Sequence, residues 1–242
     1  MERDLDWDGC LNARDLGGLS TTDGRATRQG AVVRSDNPAR LTERGWTALH
    51  DHGVRTVVTL RTIGTEDPEP DLTLLPSGVT VERVFLEDAT DPVFRRLCIG
   101  TGWWATPLQW PVMLERWPGL CADAVSTVAQ APPGGVVVSC GIGRDRTGLV
   151  TFLLLALVGV PADQIAADWS HSLTRLAGDP LASQQPVVEV LEREGTTAED
   201  AIRDALALDV EGRLVAAGLS EPDLRAVRSR LCPDSGRPAP IP

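Results

Sequence analysis

The chain switches between short apolar runs rich in β-branched residues and longer stretches in which apolar positions recur every three or four residues. Ala31-Val32-Val33, Thr56-Val57-Val58-Thr59-Leu60, Val79 to Leu86 and Val136-Val137-Val138 read as strands. Between the first two, residues 41–53 read as a helix: Thr42 can cap it, Trp46 and Leu49 share a face, and Gly53 ends it. Strand, helix and strand in that order predict a βαβ unit, with parallel strands covered by helices. The second half reads as helices over 108–130, 147–158, 162–175, 186–194, 198–217 and 222–231. No internal repeat is visible. The expected architecture is one α/β domain over residues 1–232, a mostly parallel sheet flanked by helices with a helical C-terminal portion. Residues 233–242 read as a loose tail.

Composition narrows the class. With 242 residues, 42% hydrophobic and 24% charged, the chain can build a sizeable core. Its longest apolar run, Leu149 to Val158, is far too short to span a bilayer, and acids stand where a signal peptide would carry basic residues. A cytoplasmic protein is expected, without membrane insertion. The net charge is −11, and every one of the 23 basic residues is Arg. No basic cluster interrupts that acidity, so a nucleic-acid partner is not expected. Five cysteines stand scattered with no Cys-x-x-Cys pair, which points away from disulfides and structural zinc and toward one reactive thiol. His50, His52 and His171 read as helix-surface residues without acidic partners at metal spacing, so neither metal nor cofactor is expected.

The stretch that carries chemistry runs from Pro132 to Gly148: a turn, a buried strand, Cys140 at its end, the loop Gly141-Ile142-Gly143-Arg144-Asp145, then Arg146, Thr147 and an apolar helix. Cys-x5-Arg alone is weak, since five Cys and 23 Arg in 242 residues give about half a match by chance. The setting strengthens it. A loop from strand to helix presents successive N–H groups in a concave nest suited to a phosphate dianion. Glycines at 141 and 143 permit backbone angles that a side chain opposes. Arg146 offers a planar fork for two phosphate oxygens. The same helix end and Arg favour a thiolate at Cys140, and Thr147 can donate a hydroxyl to that sulfur as it leaves. Together they suit transfer of a phosphoryl group to sulfur and then to water.

The loop Cys140-Gly-Ile-Gly-Arg-Asp-Arg-Thr-Gly148 resembles the signature of the cysteine-dependent protein tyrosine phosphatases, and more narrowly that of the atypical bacterial members. Asn12 to Gly18, Val33-Arg34-Ser35-Asp36, Val57 to Arg61 with Glu66, and Ala167-Asp168-Trp169 are similar to further stretches of that family. The resemblance implies a phosphatase-like fold and metal-independent hydrolysis of phosphomonoesters through a phosphocysteine. It implies Arg14, Arg61, Arg144 and the loop residues 141–143 as substrate-binding, and Asp145 as the acid inside the loop; Asp88 and Asp91 are the alternatives. A phosphorylated protein, a phosphoinositide or a small phosphorylated metabolite would each serve as substrate. Ser139 stands where the family has a loop-ordering His, and Thr59 where it has Asp, which keeps open a non-catalytic phosphate-binding protein. A sulfurtransferase also places Cys at a strand end, but Arg-Thr-Gly favours phosphate. Trp103, Trp104, Trp110 and Trp117 are either packing for a long connection or an aromatic wall beside the pocket. Oligomeric state is left open.

Overall fold

The computed structural model describes residues 3–179, 182 and 185–232. The expected tail, 233–242, lies outside the described residues. Five strands form one sheet: β1 (Arg14–Asp15), β2 (Val32–Ser35), β3 (Val54–Ile63), β4 (Thr80–Asp88) and β5 (Gly135–Ser139), in the order β1-β2-β5-β3-β4. Only β1 runs antiparallel, against β2; the other pairs are parallel. The βαβ unit predicted early in the chain is present: α1 (Glu43–Asp51) joins β2 to β3, with Thr42 accepting from Gly45 N and Gly53 at φ +91 closing it.

Strands covered on both faces carry apolar residues at every position, and their side chains alternate between two cores. Val136 and Val138 of β5, with Val32, Val58 and Leu60, enter the larger core; Val137, Val33 and Val57 enter the smaller one beneath Trp46 and Leu49 of α1. The larger core is built by the helices of the second half. After β4 come one turn α2 (Pro92–Phe94), a π-helical stretch Arg95–Ile99, α3 (Gln109–Arg116) and α4 (Pro118–Gln130). After β5 come α5 (Asp145–Leu157), α6 (Ala162–Arg175), α7 (Gln185–Arg193), α8 (Ala198–Leu206), α9 (Val210–Ala216) and α10 (Glu221–Leu231). Helix α5 buries ten of its 13 residues, consistent with its apolar sequence all round. No helix among the described residues is long and apolar enough to cross a membrane.

Two helices expected as single pieces are each broken. The span 108–130 divides at Trp117, φ −132 and ψ 46, because Pro118 disfavours helical geometry in the residue before it and starts α4 instead. The span 198–217 divides at Asp209, whose left-handed φ of +51 lets its carboxylate cap Gly212 N. Helix α5 begins two residues earlier than expected.

A buried ion cluster ties the first residues and α6 to the sheet. Asp168 of α6 receives Arg14 Nε at 3.0 Å, Arg34 Nη1 at 2.7 Å and Arg3 Nη2 at 2.9 Å; Arg14 also donates to the Asp168 backbone carbonyl. Burial alone would raise the Asp168 pKa, but Arg14, Arg34 and Arg3 overcome it and hold the carboxyl far below the usual carboxylate range. Arg14, buried beside Arg34, is itself lowered to about 10. An Asp168→Asn variant leaves buried guanidiniums uncompensated and should lose about 3–5 kcal/mol at neutral pH. The folded-state value lies below the unfolded one of about 3.9, so this stabilisation is present above about pH 5 and drains away as pH falls. Urea titrations should therefore show the wild type losing stability more steeply than the variant from about pH 5 to pH 3. A loss under about 1 kcal/mol at neutral pH would contradict the cluster's structural role.

Candidate active site

Strand β5 is the middle strand; its C-terminal end lies level with the end of β2 on one side, while β3 on the other side continues past it to Ile63. Ser139 stands opposite Ser35 and Thr59, and Cys140 follows immediately. Ser139 is wholly buried and its hydroxyl donates to Val58 O at 3.1 Å; it anchors β5 to β3. Cys140 and Arg146 meet in a cavity of about 390 Å³, whose walls include Asp145, Ile142, Arg40 and Trp104. A narrower cleft shares Asn37, Asp67 and Cys140 with it and extends to Arg61 and Thr59. All five thiols are unpaired. Burial, aided by the charge of Glu87, pushes Cys98 and Cys121 up to about 12, which leaves them as packed thiols.

The loop is held from behind by its carbonyls. Asn12 Nδ2 donates to Ile142 O at 3.0 Å and Gly143 O at 3.1 Å, and Arg34 Nη2 donates to Gly143 O at 2.6 Å. In a trans peptide the N–H leaves the opposite edge from the carbonyl, so the amides of Gly143 and Arg144 are turned away from these donors. This is how a nest is built from sequence: polar side chains take one edge of each peptide and leave the other for an anion. Gly143 makes the close approach possible. Its φ is +70, and a Cβ there would lie 2.4 Å from Ser35 O.

Arg14 was expected to touch substrate. It is instead fully buried behind the loop, donating to Asn12 Oδ1 at 2.7 Å as well as to Asp168, so it orients the residue that orients the loop. Arg61 does line the narrower cleft. Arg144 is buried, with Nε donating to Asp145 Oδ1 at 2.8 Å. Burial pushes the Asp145 carboxyl upward, against the pull of Arg144, Arg146 and Arg34. Thr147 is wholly buried in the first turn of α5, and its hydroxyl has no protein hydrogen-bond partner.

Neither Asp88 nor Asp91 reaches the cavity. Asp88 accepts from Thr90 N and Oγ1, while Asp91 caps α2 and accepts from Trp117 Nε1 at 3.3 Å. Of the tryptophans, Trp104 lines the cavity; Trp110 packs on Phe152 and Trp117 on Phe94 in the core. His52 and His171 are not bare surface residues, since each meets an Asp, Asp15 and Asp4, at 2.9 Å. No three His, Cys, Asp or Glu side chains among the described residues gather as metal ligands.

Two acids escaped the sequence reading. Asp67, in the loop after β3, meets Arg146 Nη1 at 2.6 Å. Glu87, buried at the end of β4, accepts from Thr62, Trp104 and Gln109 and lies 4.0 Å from Arg146 Nε. Nothing in their neighbours along the chain marks them, because a loop path and a β-bulge between Arg61 and Thr62 bring them here.

A strand end, a loop whose carbonyls are held from behind, a cysteine and a forked Arg on one cavity have the form that a phosphate-handling site requires. A model described as the tyrosine phosphatase family matches residues 5–231. A Cupriavidus necator protein provisionally named a tyrosine-protein phosphatase is 32% identical over 239 residues, covering 86% of this chain and 85% of its own length. A tyrosine-protein phosphatase from Nostoc commune is 28% identical over 159 residues, 64% of this chain and 52% of its own. The chain belongs to the tyrosine phosphatase family and is a phosphatase.

The loop geometry makes a direct prediction. Gly143→Ala forces a side chain into backbone and should weaken binding of inorganic phosphate by about tenfold or more, with a lower Tm. Calorimetric titration and a thermal melt check it; unchanged values in both would mean that the loop tolerates a Cβ and is not shaped as described.

Proposed function

We propose that the protein hydrolyses phosphomonoesters by way of a phosphocysteine, with phosphorylated tyrosine in a protein as the substrate class. The meeting of Cys140 and Arg146 around the loop 141–144, at the start of α5, is the observation that carries this reading. Phosphate oxygens would be held by the fork of Arg146 and the turned amides, with Ile142 and Arg144 shaping the loop and Arg61 standing outside this shell in the adjoining cleft. The Cys140 thiolate attacks phosphorus, the bond to the leaving oxygen breaks, and Asp145 gives that oxygen its proton. Burial favours the protonated form of Asp145, as an acid at this step requires. Water then attacks phosphorus, Asp145 takes a proton from it, and the sulfur departs. The Thr147 hydroxyl, buried and without a protein partner, supports the departing sulfur. No step calls on a metal or cofactor.

The apolar side of the cavity, with Ile142, Ala105, Pro68 and Trp104, supports an aromatic leaving group over a sugar or a bare alkyl chain. The family and the names of both relatives agree with tyrosine as the residue dephosphorylated.

Turnover of an aryl phosphate tests the scheme. Cys140→Ser should abolish it with the fold retained, and Arg146→Lys should remove most of it, because a point charge cannot make the two-point contact. Wild-type rates in Cys140→Ser would sink the mechanism. Asp145→Asn should cost about 10²-fold or more in kcat on an alkyl phosphate and clearly less on p-nitrophenyl phosphate, whose leaving group needs little protonation. Equal losses on both would remove Asp145 from the acid role.

A further inference from the structure

Arg146 cannot grip a phosphate without giving up a partner. Its Nη1 donates to Asp67 Oδ2 at 2.6 Å and its Nη2 to Asp67 Oδ1 at 3.2 Å, a two-point contact of the form a phosphate would make. The carboxylate also overhangs the loop: a Cβ added at Gly141 would lie 3.2 Å from Asp67 Oδ1. A phosphate on the same fork and the same loop would stand against a like charge, so the two anions compete for one place.

The neighbouring Arg61 has a donor to spare. Its Nη1 donates to the Asp67 backbone carbonyl at 3.0 Å and stands 3.9 Å from Asp67 Oδ2. Its Nε and Nη2 are buried and make no hydrogen bond. Glu69 lies 2.9 Å from Nη2, yet that ion pair falls outside hydrogen-bond geometry. The Nε–H left without a partner on a buried guanidinium is costly, and a carboxylate turning toward it relieves the cost. The backbone needs no rearrangement for this. Asp67 O is held by Arg61, and Pro68 O accepts from Asn37 Nδ2 at 2.9 Å, so rotation of one side chain suffices.

We infer that Asp67 is a positioning residue that trades Arg146 for Arg61 as phosphate binds, holding the fork in place beforehand and finding a prepared partner afterwards. The inference rests on phosphate being held by the Cys140–Arg146 loop. Its consequence is that phosphate affinity is a difference: Asp67 lowers it by competing, and Arg61 restores part by receiving the displaced carboxylate.

Calorimetric titration of inorganic phosphate into the full-length protein, Asp67→Asn, Arg61→Met and the double variant tests this. Asp67→Asn should bind phosphate about tenfold more tightly, and KM for an aryl phosphate should fall in step while kcat changes much less. Arg61→Met should weaken phosphate about tenfold with Asp67 present and less than about threefold in the Asp67→Asn background, where no carboxylate needs a receiver. An equal penalty in both backgrounds would mean that Arg61 binds phosphate itself, and the exchange would be wrong. Unchanged or weaker binding in Asp67→Asn would equally overturn it. Should Arg61→Met fail to fold by thermal melt, the Asp67→Asn comparison decides alone. Absence of any phosphate binding by the wild type is a different result: it would sink the reading of the loop as a phosphate site, and the exchange with it.

Discussion

The loop that follows Cys140 depends on one carboxylate that never touches it. Asp168 lies on α6, wholly buried, and draws Arg14 from β1, Arg34 from β2 and Arg3 from the start of the chain onto its two oxygens. Isolated, any of these charges would be too expensive to bury. Together they fix where β1 and β2 present their side chains, and those side chains hold the loop. Arg34 reaches Gly143 O directly, and Arg14 holds Asn12, which reaches Ile142 O and Gly143 O. The cluster also leaves more guanidiniums than carboxylates behind the loop. That surplus positive charge, in a poorly screened interior, favours an anion on the other side of the loop.

The site thereby separates two jobs that a single Arg could confuse. Arg34 and Arg14 hold the loop from behind, while Arg146 faces the cavity. Glu87 links the two walls of that cavity: it accepts from Trp104 and lies close to Arg146, so the aromatic side and the charged side share one buried support. The positive φ of Ala105, +79 in a residue that disfavours it, shows the connection after Trp104 bent to meet the cavity wall.

Much of this was legible from residues alone, for identifiable reasons. A central strand carries an unbroken valine run because both faces are covered, so Val136-Val137-Val138 announced both the sheet and the position of Cys140. The loop between Cys140 and Arg146 is local in sequence, and local chemistry is readable. What escaped was set by distance. Asp67 and Glu87 come from loops and strand ends whose approach to Arg146 depends on tertiary path and a β-bulge. Arg14 was visible as important but not in its true place, because charge and spacing do not say which side of a loop a guanidinium occupies. The break at Trp117 was written in Pro118, and a helix reading based on apolar spacing overran it.

The arrangement of the cluster also has a meaning in time. A ribosome delivers Asn12, Arg14 and Arg34 early and the cysteine loop much later, but Asp168 emerges later still, on α6. Until it does, three guanidiniums have no shared counter-charge, and the carbonyls of residues 142 and 143 have no settled donors. A nascent chain that already displays Cys140 therefore carries it beside a loop whose shape is not yet fixed. The loop reaches the shape described only once α6 has been made, so its geometry is one of the last features of the fold to be fixed.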